Sequence, residues 1–588
     1  MSGGFAHDLP FGANLTARGR TRFRLWAPAQ RAPSVAIVDG PTVPMRAEGA
    51  GWFAAEADAG AGTRYRFRLD DSTLVPDPAS RFQPEDVHGP SEVIDPRSYR
   101  WQHPEWRGRP WHEAVIYEAH VGCLGGFQEM IAELPRLQQL GVTAIELMPI
   151  ADFPGRRNWG YDGVLLFAPD SAYGTPGALK ALIDAAHGRG LMVLLDVVYN
   201  HFGPDGNYLG LYAPPFFRDD IHTPWGGAID FFCAEVRDFF TQNALFWLNE
   251  YRFDGLRLDA VHEICDPEWL HELADAVRKS AGQERHVHLV LENERNEAGH
   301  LRHDIDAQWN DDGHHAFHVL LTGESSGYYK DYAEAGAASL ARVLAEGFFF
   351  QGQFSAHRGK PRGTASKDLP TTAFVLFLQN HDQIGNRAFG ERLTELADPQ
   401  ALEAAIATQV LAPQIPMLFM GEEVASRTPF LFFTDHNREL GELIREGRRK
   451  EFAHFPAFAD PEARARIPDP NAPATFVASI PRPDPARAAA RQELYRRLIA
   501  VRMQEIAPSI ERTRGIAAQP LGSAAVLSQW RLGERGVLTI AVNLGAAPVP
   551  MPPLAGRLLF ATPDMADGWA RAGELPARSM VAALDHAA

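Results

Sequence analysis

The chain has 588 residues, of which 45% are hydrophobic and 22% charged, with 51 glycines and 44 prolines; this is a globular composition that excludes disorder, collagen and coiled coil. A net charge of −17 repels phosphate backbones and anionic surfaces, which argues against nucleic-acid and membrane-surface roles. Three widely spaced cysteines, Cys123, Cys233 and Cys265, fit neither a disulfide framework nor a close-spaced zinc site.

The first residues carry neither a basic start nor an apolar stretch, and the run Leu191 to Leu195 is cut by Asp196. The chain is therefore expected to be cytoplasmic, without a membrane span. From about residue 20 to 95, short alternating segments such as Thr21–Trp26, Ser34–Val38 and Thr63–Leu69 lie between Gly, Pro and Asp. Period two with this punctuation predicts an N-terminal β-sandwich over 1–98, with Tyr65 and Phe67 facing opposite to Arg64, Arg66 and Arg68. Trp101, Trp106 and Trp111 mark a packed linker.

Apolar runs then alternate with helical-period stretches. The runs are Val115–Val121, Ala144–Met148, Leu191–Val197, Gly255–Leu258, Val287–Leu291, Ala373–Leu378 and Ile415–Phe419; helices are expected at Phe127–Leu140, Glu235–Glu250 and Trp269–Ser280. This α/β texture predicts a (β/α)8 TIM barrel of about eight strands, with insertions, over 99–515. Arg438 to Glu451 is expected to be an exposed helix, and Phe348 to Phe350 to pack under the barrel. A C-terminal antiparallel β-domain over 516–588 is predicted from Ala524–Trp530, Gly536–Val542 and Gly556–Phe560.

Barrel chemistry gathers where strands end. There stand Asp196-Val-Val-Tyr-Asn200-His201, Arg257-Leu-Asp259, Glu292 and Asn380-His381-Asp382, with Asn158-Trp159-Gly-Tyr161-Asp162 after the second strand. Asp259, Glu292 and Asp382 would converge on one cavity with His201, His381 and Arg257. Gathered like charges split their pKa values into an ionised nucleophile or base and a protonated acid, as glycoside hydrolysis requires. Arg257 shares a strand face with Asp259 and is expected to lower its pKa, and desolvation is expected to raise Glu292. Glu294 is a decoy beside Glu292.

These segments, in this order, resemble the four short regions of the α-amylase family of glycoside hydrolases and transferases. The resemblance implies that Asp259 is the nucleophile, Glu292 the general acid/base and Asp382 the carboxylate that holds sugar hydroxyls. It also implies substrate-binding roles for Asp196, Asn200, His201, Arg257 and His381, with Tyr161 stacking on the sugar. Trp159 and Trp225 are added as candidate sugar platforms; Tyr208, Phe217 and Trp309 are further aromatics expected in loops. Within the family, Pro76–Pro84, Val87–Pro90, His201–Tyr208, Pro224–Asp230 and Gln308–His315 are similar to a branch that cleaves the α-1,4 bond beside the terminal trehalose unit of maltooligosyltrehalose, releasing trehalose. Related α-glucan oligosaccharides are the other expected ligands.

Many members of the family carry calcium near the third strand, but Asp205 and Asn207 read as loop formers, so no metal and no cofactor are expected. Gly323-Glu-Ser325-Ser-Gly327 matches a nucleophile elbow only if a strand precedes it and a helix follows. Asn14-Leu-Thr16 is a sequon, idle in the cytoplasm. A branching or debranching enzyme and a non-catalytic glucan-binding protein are the alternatives. The sequence does not give the oligomeric state.

Overall fold

The computed structural model describes residues 5–16, 19–223, 226–453, 455–564 and 573–586. The first hundred residues form two antiparallel sheets. Thr21–Trp26 pairs with Trp52–Ala57 in one, and Ser34–Ile37 with Arg64–Arg68 in the other. Phe23 and Tyr65 meet across the sandwich at 4.7 Å in an edge-to-face contact, and the alternation is as expected: Tyr65 and Phe67 are buried, the arginines beside them are not. Trp101 and Trp111 are buried, and the Trp106 indole donates to Asp254 at 2.8 Å, so the linker is packed onto the next unit.

That unit is a closed barrel of eight parallel strands: β1 Ile116–Ala119, β2 Ala144–Leu147, β3 Met192–Val197, β4 Gly255–Leu258, β5 His288–Leu291, β6 Ala307–Trp309, β7 Phe374–Leu376 and β8 Ile415–Phe419. Helices α1 Phe127–Leu140, α2 Pro176–His187, α3 Ala234–Asn249, α4 Glu268–Ala281 and α5 Asp311–Thr322 follow strands on the outside. Strands β7 and β8 are unbroken apolar runs buried on both faces, as parallel strands must be. β6 has no such run. It is three residues long, and Trp309, expected in a loop, is its last residue and is 1% exposed.

Side chains alternate in and out of the barrel, and the inward ones are layered. Ile116, Ala144, Met192, Leu194, Val290, Ala307, Val375, Ile415 and Met417 form an apolar lower layer. Further along the first four strands the inward positions change character: Glu118 on β1, Glu146 on β2, Asp196 on β3 and Arg257 on β4. Register pairs Glu118 with Glu146 and Asp196 with Arg257. The barrel thus has a dry base and a charged floor beneath its C-terminal mouth.

Phe348 packs edge-on against Phe374 of β7 at 5.0 Å. Arg438–Phe452 is a helix with most residues exposed or half-exposed. The last sheet is five-stranded and antiparallel, with Thr513–Pro520 at one edge and Arg557–Thr562 at the other; its first strand spans the expected boundary at 516. Among the described residues, no helix is long and apolar enough to cross a membrane.

Candidate active site

Asp259 is the first residue beyond β4 and Glu292 the first beyond β5, so strand geometry delivers both to the mouth of the barrel. Arg257, fully buried, joins them. Its Nη1 donates to Asp259 Oδ1 at 2.8 Å and to Asp196 Oδ2 at 2.6 Å, and its Nη2 lies 2.8 Å from Glu292 Oε2. The guanidinium carbon sits 4.0 Å above the Trp309 ring, a cation–π contact made strong by desolvation. Asn200 Nδ2 donates to Asp259 Oδ2 at 2.8 Å, so both oxygens of Asp259 are fixed.

Ala260 has a left-handed backbone, with φ +39°, which a residue with a Cβ adopts at a cost. The turn it makes aims its N–H at Glu292 Oε2, 2.9 Å away. Asp382 is the second residue of the short helix His381–Gly385, whose Asn380 cap accepts from Gln383 N–H at 3.0 Å. Asp382 Oδ1 lies 3.5 Å from His381 Nε2.

His381 is clamped from both ring nitrogens. Nδ1 bonds Glu118, and Nε2 meets the Tyr161 hydroxyl at 2.8 Å; that hydroxyl donates to Asp196 at 2.6 Å. Burial lowers the His381 pKa, but Asp382 and Glu118 outweigh it and raise it to about 9, so the ring is a cation at neutral pH. His201 is the opposite case: burial pulls it down to about 4, and as a neutral ring it meets Tyr161 O at 2.9 Å and Asn200. It ties the loop of Tyr161 to the end of β3.

Desolvation raises Asp259, Glu292 and Asp382 alike. For Glu292 this matches expectation. For Asp259 it corrects the sequence reading, because burial outweighs Arg257; the guanidinium opposes the rise without reversing it. Glu294 differs in kind. Arg358 grips both its oxygens, at 2.7 and 2.8 Å, and holds it at about 2, so it is a fixed anion.

The structure brings together Tyr161, Asp196, Asn200, Arg257, Asp259, Glu292, His381 and Asp382. Trp159 stands behind them, which corrects its placement as a sugar platform. It is 4% exposed, donates to Leu431 O at 2.9 Å and stacks on Phe430 at 5.3 Å with its edge toward His381. Gly385 allows that close approach, since a Cβ there would lie 2.0 Å from the Trp159 ring. Trp225 lies outside the described residues. Tyr208 bonds His88 at 2.7 Å, and Phe217 packs with Phe202 and Phe216.

Asp205 is held by His88 and Asn437 and Asn207 accepts from Leu209 N–H, both loop contacts. Among the described residues no three His, Cys, Asp or Glu side chains are grouped to hold a metal. Ser325 follows helix α5 rather than a strand, so no nucleophile elbow forms there. Sequence reasoning passed over Glu118 and Glu146; the available signal was a single acid inside each of two apolar strands.

The family profile described as "Alpha amylase, catalytic domain" matches residues 81–210, and "Domain of unknown function (DUF3459)" matches 513–581. The malto-oligosyltrehalose trehalohydrolase of Deinococcus radiodurans is 44% identical, over 81% of this chain and 78% of that protein. The protein of the same name from Rhizobium sp. (strain M-11) is 39% identical, over 94% of this chain and 96% of its own length. A solved structure from Salmonella typhimurium, described as a presumed α-amylase, is 43% identical with a TM-score of 0.93, covering 98% of this chain and all of that one. An eight-stranded barrel with this floor of charges, matched over most of its length by such relatives, belongs to the malto-oligosyltrehalose trehalohydrolase family of α-amylase-type glycoside hydrolases.

Proposed function

We propose that the chain hydrolyses the α-1,4 bond next to the terminal trehalose of maltooligosyltrehalose by double displacement, with Asp259 as nucleophile and Glu292 as acid and base. The observation that carries this reading is the shared guanidinium: Arg257 contacts Asp196, Asp259 and Glu292 through two adjacent nitrogens. Two carboxyls gripping one planar cation supports the short separation, about 5 to 5.5 Å, of a retaining pair.

In the first step an Asp259 oxygen bonds the anomeric carbon of the last glucosyl unit before trehalose. The glycosidic bond breaks, and Glu292 gives its proton to the departing trehalose oxygen. Glu292, now ionised, takes a proton from water, whose oxygen bonds the anomeric carbon and displaces Asp259. The glucan chain leaves with the α configuration it began with. Both groups are desolvated, which suits Glu292 to a proton donor near neutral pH; Asp259 is kept reactive by hydrogen bonds that fix both its oxygens. Asp382, beside the cationic His381, is placed to hold hydroxyls of the same sugar, and Tyr161, half-buried against His381 with ring centroids 5.1 Å apart, to cover its face. Division of the chain into 1–98, 99–515 and 516–588 belongs to this reading.

The test is product analysis with maltotriosyltrehalose, maltopentaose and glycogen in parallel. Free trehalose, a maltotriose that is first α, and little attack on maltopentaose are expected. Attack on the plain glucans with no trehalose released would overturn the substrate assignment, and a first-formed β product would overturn the mechanism.

A further inference from the structure

One carboxyl on the barrel floor has no part in the steps above. Glu146 is 1% exposed and faces the interior from β2, opposite Glu118 of β1 and Leu194 of β3. Asp196 is the next inward residue along β3. Among the described residues no donor reaches either Glu146 oxygen, and Asp196 Oδ1 has none either. Every other acid of this layer is supplied. Glu118 has His381, Asp196 Oδ2 has Tyr161 and Arg257, and Asp259 has Arg257 and Asn200.

The two buried cations are therefore already engaged. A bare carboxylate at Glu146 would meet Glu118 and Asp196 across a dry interior with no hydrogen bond of its own, an arrangement proteins avoid by keeping the proton. Burial and those two charges push Glu146 far above the carboxylate range, with Arg257 and His381 in opposition. A protonated carboxyl supplies what Asp196 Oδ1 lacks, which is a donor.

We propose that Glu146 is held as the neutral acid and is a positioning residue, its hydroxyl serving Asp196 Oδ1 directly or through one buried water. Asp196 is then fixed at both oxygens: from Glu146 on one side, from Tyr161 and Arg257 on the other. Arg257 in turn orients Asp259 and Glu292. The chain of contact runs from β2 to the reacting groups without Glu146 touching substrate.

The inference rests on the roles given to Asp259 and Glu292, and its test has one arm that does not depend on them. Infrared difference spectra of wild type minus Glu146→Gln are expected to show the carbonyl stretch of a protonated carboxyl; its absence overturns the proposal whatever the catalytic residues are. In the kinetic arm, Glu146→Leu removes the donor and is expected to lower kcat by tenfold or more. Glu146→Gln, whose amide still donates, recovers most of that loss. Both limbs of the Glu146→Gln pH profile should stay in place, since no charge has been removed. Limbs displaced to lower pH would show that a negative charge had been lost, and overturn the proposal. So would a Glu146→Leu enzyme with wild-type kcat. Should Glu146→Leu fail to fold by circular dichroism, the infrared band and the Glu146→Gln profile decide alone.

Discussion

Replacing Arg257 by lysine keeps a positive charge and removes the fork, which separates charge from geometry at the centre of the site. The guanidinium serves three carboxyl groups from two nitrogens, at 2.6 Å to Asp196, 2.8 Å to Asp259 and 2.8 Å to Glu292. An ammonium is a single point that cannot span Asp259 and Glu292 together. A hydrogen bond between charged groups contributes roughly 1.5–3 kcal/mol, so loss of one contact to a reacting carboxyl is expected to cost about 2–3 kcal/mol of transition-state stabilisation. At 1.36 kcal/mol per decade that is a fall in kcat of roughly 30- to 150-fold. The direction of the pH effect follows from the same contacts. Arg257 pulls Asp259 down against its burial; weakening that pull raises the pKa of Asp259, the proposed nucleophile, so the acid limb of kcat/KM is expected to move to higher pH. The assay is initial rate on maltotriosyltrehalose across pH, with circular dichroism as the check on folding. A folded Arg257→Lys enzyme within threefold of wild type and with an unmoved acid limb would falsify the central role given to the shared guanidinium.

Asp259→Asn and Glu292→Gln are each expected to fold normally and to lose several orders of magnitude in turnover, since positioned proton transfer alone contributes about 10²–10⁴-fold; wild-type-like rates in either would remove it from its role. Ala260→Gly should leave the Glu292 contact in place while relieving the left-handed backbone, raising stability by about 0.4–1 kcal/mol or somewhat more, read as a higher denaturation midpoint; a lower midpoint would contradict the strain. Glu422 is buried and raised by that burial to about 7, above its unfolded value of about 4.3. The folded state therefore binds the extra proton between those values, and stability falls as pH rises through them. Glu422→Gln should flatten this part of the fall in Tm between pH 5 and 8, and an unchanged slope would reject the assignment.

The sandwich, the barrel and the closing sheet were legible because each rests on a strong local signal. Alternation at Arg64 to Arg68 could only mean a half-buried strand, and β7 and β8 are apolar on both faces because both faces are covered. Helix α1 has the bounds expected from its period, Phe127–Leu140. β6 escaped notice because three residues are too few to show a period, and so Trp309 was read as a loop aromatic. Its indole instead lies under Arg257, a contact set by barrel closure and invisible along the chain.

The same distinction explains the site. Asp259, Glu292 and Asp382 could be proposed as site residues from the sequence because they follow strands or open the helix after one, where a polar residue interrupts an apolar run. Glu118 and Glu146 interrupt such runs too, but in the middle of a strand, where an acid is ordinarily excluded by its desolvation cost. Their presence makes sense only once the strands are in register: Glu118 faces His381 from 263 residues away, and Glu146 faces the layer that holds Asp196. Direction of a pKa shift has the same limit. The pairing of Arg257 with Asp259 follows from spacing, yet the net rise of Asp259 depends on how completely eight strands and their loops exclude water, a property of the closed barrel and of no segment within it.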